Sequence, residues 1–153
     1  MRPWYCRFHS RGVAIVEFAI ALPFLLMLML VTAELGRLLS QYDTLTKAAR
    51  SGARYVASNA LQGSTGVISI TPQVQTAAQN LVIKGNVGGT GTTLLPGLVA
   101  ANVTVTSPAP NYVSVSASYP YQPMVGAILP TFGFTGPLAM NYSLTVSVMM
   151  RAL

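Results

Sequence analysis

Residues 12–33 read GVAIVEFAIALPFLLMLMLVTA, and Glu17 is the only charge in the run. As an α-helix this stretch is roughly 33 Å long, enough to cross the ~30 Å hydrocarbon core of a bilayer. Arg2, Arg7 and Arg11 precede it. By the positive-inside rule they predict a cytoplasmic N-terminus and an exported C-terminal region. A carboxylate inside an apolar span is costly, so Glu17 asks for a function.

The helical pattern continues past the run. Leu35, Leu38, Leu39, Tyr42, Leu45, Ala49, Gly52, Ala53, Val56 and Ala60 recur at spacings of three and four, which marks one apolar face. Lys47, Arg50 and Arg54 fall on another. One helix is expected from about Val13 to about Leu61, kinked or loosened at Pro23 and ended by Gly63, Ser64 and Gly66. Thr71-Pro72 is a helix-start signal, and Val74, Ala77, Ala78, Leu81 and Val82 carry a second helix over 72–83, ending near Gly85. Residues 85–97 are a loop by composition.

The period then changes from 3.6 to 2. Val103 and Val105, then Val113, Val115, Ala117 and Tyr119, then Leu144, Val146 and Val148 alternate with Thr and Ser. Three strands with one apolar face each are predicted, the first two joined through residues 107–111. Residues 123–134, broken by Pro130, read as a short helix or a covering loop. The fold class is α+β: a long N-terminal transmembrane helix continuing into a small helix-plus-antiparallel-sheet domain, pilin-like. The C-terminal half of the long helix is the natural cover for the sheet. The expected divisions are a basic leader at 1–12, a membrane segment at 13–34, a periplasmic continuation of the helix at 35–62, and a small periplasmic α+β domain at 63–153.

Of the formal charge of +6, half lies in the three leader arginines. From Val13 onward Arg37, Lys47, Arg50, Arg54, Lys84 and Arg151 face Glu17, Glu34 and Asp43, so nucleic-acid binding is a poor reading. Cys6 and His9 both precede the apolar run, and nothing beyond Asp43 is Asp, Glu, His or Cys. That removes general acid–base, thiol and metal chemistry from the exported region. A Ser–Lys arrangement through Lys84 is formally open but unsupported by its neighbours. The expectation is a non-enzyme with no cofactor, no metal and no small-molecule substrate.

The boundary sequence Arg11-Gly12-Val13-Ala14-Ile15-Val16-Glu17-Phe18 resembles the cleavage site of type IV prepilins. On that pattern a membrane peptidase cuts between Gly12 and Val13, and Glu17 becomes the fifth mature residue. The resemblance narrows with Gly12, Val16-Glu17-Phe18, Pro23, Glu34-Leu35-Gly36-Arg37 and Ala48-Ala49-Arg50-Ser51-Gly52-Ala53-Arg54-Tyr55. Together these are similar to the TadE-like family of tight-adherence (Flp) pilus proteins. The resemblance implies a minor pilin, or pseudopilin, of the bacterial inner membrane. It would be processed by a prepilin peptidase and act with other Tad pilins and the assembly platform in surface attachment. Flp-type major pilins usually carry tyrosine after the glutamate and little chain beyond the helix. Phe18 and the long C-terminal region point to the minor component.

Each signal has a plainer reading. Glu17, about 7 Å along the helix from Gly12, can snorkel to the interface; as a mature-pilin residue it would instead pair with the freed amine of Val13. Arg50 and Arg54 can dock an acidic surface or lipid headgroups, or form a solvated face. Tyr42 and Tyr55 read as packing residues. Gly36 and Gly52 allow close helix approach or are tolerated surface glycines. Val31-Thr32-Ala33 resembles a signal-peptidase site. The alternative is therefore a secreted or membrane-anchored β-rich binding module with a conventional signal sequence.

Overall fold

A computed structural model describes residues 10–61, 68–124, 128–129, 138–139 and 142–152. The leader residues Arg2, Cys6, Arg7 and His9, and the helix-ending Gly63, Ser64 and Gly66, lie outside the described residues, as does the side chain of Arg11.

Helix α1 spans Ser10–Asn59 and includes Pro23 without interruption. The chain divides into two compact units, Met1–Gly36 and Arg37–Leu153. In the first, the apolar run reaches a mean hydropathy of 2.6, and none of that window is buried in the protein. Thr32, its one hydroxyl-bearing residue, donates back to the carbonyls of Leu28 at 3.1 Å and Met29 at 2.9 Å. That leaves no unpaired hydroxyl to carry into a lipid environment.

In the second unit the α1 residues Leu45, Ala48, Ala49, Gly52, Ala53, Val56 and Ala57, and Ala60 just after the helix, are buried. Small side chains predominate because other elements come close. A Cβ on Gly52 would lie 2.8 Å from Val82 Cγ2, 3.4 Å from the Ala78 carbonyl oxygen and 3.8 Å from Val115 Cγ1. Leu35, Leu39 and Tyr42 depart from the expected stripe: they are 52%, 65% and 44% exposed. Periodicity records a face but not how far its cover extends. The helix side that carries Ala53 and Val56 is covered, whereas its continuation at Leu39 and Tyr42 is not.

After α1, Leu61 forms an isolated antiparallel bridge with Ile68. Helix α2, Pro72–Lys84, starts where Thr71 Oγ1 accepts the Val74 N–H and ends at Gly85, whose φ of 76° only glycine adopts without strain. Strands β1 (Val103–Ala109), β2 (Tyr112–Pro120) and β5 (Ser143–Arg151) form an antiparallel sheet in the order β1-β2-β5. Register places Val103 opposite Ala117 and Val105 opposite Val115, then Val115 opposite Val148, Ala117 opposite Val146 and Tyr119 opposite Leu144. The apolar alternation thus becomes one continuous face against α1 and α2. The opposite face is a hydroxyl ladder, with Ser116 bonded to Ser147 at 2.9 Å and Ser118 to Ser143 at 2.8 Å.

The β1–β2 connection is shorter than expected. Strand β1 continues through Pro108, tolerable on an edge strand, with an irregularity between Thr106 and Ala109, and only Pro110-Asn111 turn the chain. Asn111 takes φ 63°, the conformation that follows proline in a type II turn. Within 123–134, Ile128–Leu129 is strand β3, paired with β4 at Leu138–Ala139, rather than a helix. The rest of that stretch beyond Met124 lies outside the described residues.

Candidate functional site

Two places gather the residues singled out by sequence. In the first unit, Gly12, Val13, Val16, Glu17 and Ile20 line one open depression of about 630 Å³ on the helix surface. Val13, Val16, Glu17 and Ile20 are three or four residues apart and so share a face, with the Gly12–Val13 peptide at its N-terminal end. No atom lies within 4 Å of where a Gly12 Cβ would stand, so the fold does not demand glycine there. Phe18 is 59% exposed and Pro23 half-buried. Gly36 is likewise open, with nothing within 4 Å of its Cβ position. The two glycines the sequence could not separate are therefore different in kind: Gly52 lies at a close approach and Gly36 does not.

In the second unit, Arg50, Arg54, Ser51, Tyr55, Leu81 and Val87 line a cavity of about 410 Å³. Arg50 and Arg54 stand one turn apart on α1 and are exposed; Tyr55 is half-buried and packs against the core. Leu81 comes from α2. Val87 comes from the following loop, which side chains tie down: Asn80 Nδ2 donates to the Val87 carbonyl at 3.1 Å, and Asn86 donates to the Thr90 carbonyl at 2.6 Å and accepts its N–H at 3.1 Å. Lys84 Nζ donates to the Gly89 carbonyl. Lys84 thus fastens this loop.

Lys47 pairs with Asp43 at 3.1 Å, largely exposed, so the pair contributes at most about 0.5 kcal/mol. Glu34 is buried at 4% exposure. Arg37 is half-buried, and its Nη1 and the buried Oε1 of Gln41 have no hydrogen-bond partner among the described residues. Burial pushes the Tyr119 hydroxyl above its ordinary value of 10, with the Arg37 charge opposing. Sequence reading did not single out Gln41 as a buried polar residue. The only available signal was that Gln41 interrupts the apolar stripe one turn before Leu45.

A family model described as TadE-like protein matches residues 12–54. The matched stretch lies wholly within α1, carries Glu17, Pro23, Gly36, Arg50, Gly52 and Arg54, and stops one residue before Tyr55. No curated protein and no solved structure matches the chain.

Proposed function

We infer, from the TadE-like character of residues 12–54, that the protein is a pilin-like membrane component of a Tad pilus system, acting by packing rather than catalysis. The observation that carries this reading is an exposed apolar helix with one carboxylate, Glu17, a turn and a half beyond an unconstrained glycine. The leader arginines hold the N-terminus in the cytoplasm and the second unit is exported to the periplasm. A prepilin peptidase cuts between Gly12 and Val13. The new Val13 amine and Glu17 then form a charge pair, within one chain or between neighbours. Pairing offsets the ~3 kcal/mol that a lone carboxylate costs at hydrocarbon depth. The partners are other Tad pilins and the assembly platform of the inner membrane.

The test is the mature N-terminus of the full chain isolated from membranes of its own host. A start at Val13 supports the proposal. A start at Glu34 supports a secreted module instead, and an intact Met1 supports a plain anchored protein. If a Glu17→Ala variant is processed and still co-isolates with the other pilins, the carboxylate has no role in assembly.

A further inference from the structure

We propose that the Arg50–Arg54 cavity is a docking site for an acidic peptide segment of a partner protein. The inference rests on the assembly reading above and names the chemistry of its partner. Two arginines one turn apart repel each other on a helix, so their adjacency calls for an anion. This chain has none to offer nearby. Its three side-chain carboxylates all lie at or before residue 43, and Asp43, the last of them, is spent on Lys47 at 3.1 Å. Among the described residues neither Arg50 nor Arg54 has an acidic partner.

The cavity is built to hold a side chain. Guanidinium groups bind carboxylates through two parallel hydrogen bonds, and two of them one turn apart match two acidic residues of an extended or helical segment. Leu81 and Val87 supply an apolar wall that lowers the local dielectric and strengthens those bonds. The bonds from Asn80, Asn86 and Lys84 hold that wall in place without the ligand, so little ordering is required on binding. The Ser51 hydroxyl donates to the Lys47 carbonyl at 3.1 Å and adds only a lone pair to the rim.

Position along α1 argues for a protein rather than lipid. Arg50 is thirteen residues beyond Arg37, roughly 20 Å of helix, and Arg37 itself follows the apolar run. The headgroup layer is only about 6 Å deep on each side of the hydrocarbon core.

The experiment uses the full chain in nanodiscs of zwitterionic lipid and a fluorescent N-acetylated hexaglutamate peptide, read by anisotropy at physiological salt. The expected result is saturable binding that weakens at least tenfold in R50A/R54A, partly in R50K/R54K, and less than twofold in K47A. Equal binding by R50A/R54A, no saturable binding, or binding lost in K47A overturns the proposal. Retention of anionic lipid at this site with no affinity for the peptide overturns it in favour of a headgroup site. The mature N-terminus is read on the same preparation. A Val13 start without peptide binding refutes the docking site alone; peptide binding with an intact Met1 refutes the pilin reading alone.

Discussion

Replacing either of two helical glycines by alanine should have opposite effects. At Gly36 the new methyl meets nothing within 4 Å, so only helix propensity changes and the helix gains about 0.5–1 kcal/mol. At Gly52 the same methyl would sit 2.8 Å from Val82 Cγ2, against an optimum of about 3.5–4.0 Å for carbon pairs. Val82, Ala78 and Val115 are each fully buried, so none of the neighbours can yield into solvent. Overpacking costs about 1–3 kcal/mol, and the propensity gain of about 1 kcal/mol offsets only part of it. The net effect of Gly52→Ala is a loss of about 1 kcal/mol, and the larger, branched side chain of Gly52→Val loses about 3 kcal/mol. In thermal unfolding of the full chain in detergent, followed by circular dichroism, each kcal/mol corresponds to about 4 °C in Tm. A second change, Val82→Ala, should restore room: the pair couples by about 1 kcal/mol or more in a double-mutant cycle. If Gly52→Ala is as stable as Gly36→Ala, the close approach of α1, α2 and β2 is refuted.

Three further outcomes are expected. Gly12→Ala should abolish processing while leaving the circular dichroism and Tm of the second unit unchanged, because its Cβ position is open; unchanged cleavage on an immunoblot refutes the scissile assignment. Tyr119 is raised by burial, so its contribution to stability is intact below the unfolded value of about 10 and is lost as pH climbs through the higher folded value. Unfolding free energies from urea titrations between pH 9 and 12 should therefore fall less steeply in Tyr119→Phe than in the parent, by up to about 1.4 kcal/mol per pH unit; parallel profiles refute this. Asn111 at φ 63° should tolerate glycine and lose about 1–2 kcal/mol on change to valine; an unchanged denaturation midpoint for Asn111→Val refutes the turn assignment.

Much of the architecture was legible because it is local. The 22-residue apolar run and its glutamate, the Thr71-Pro72 start with Gly85 as the C-cap, and the three alternating strands all follow from periodicity and capping within a few residues. The proximity of Gly12, Val13 and Glu17 follows from the same local rule, since they lie within two turns of one helix. The miss at Leu35, Leu39 and Tyr42 shows the limit: their spacing matches that of the buried residues, and only the extent of the covering elements distinguishes them.

By itself, then, the sequence determined the membrane-length helix, the α+β class, a chain with no Asp, Glu, His or Cys beyond Asp43 and the likeness to TadE-like proteins, since each depends on composition or on spacing along one element. Tertiary structure alone decided which helical glycine sits at a close approach, and that two arginines share a cavity with α2 and its loop. Those properties depend on residues far apart in the chain, such as Gly52 with Ala78, Val82 and Val115 within 4 Å of its Cβ position, and no local pattern encodes that distance.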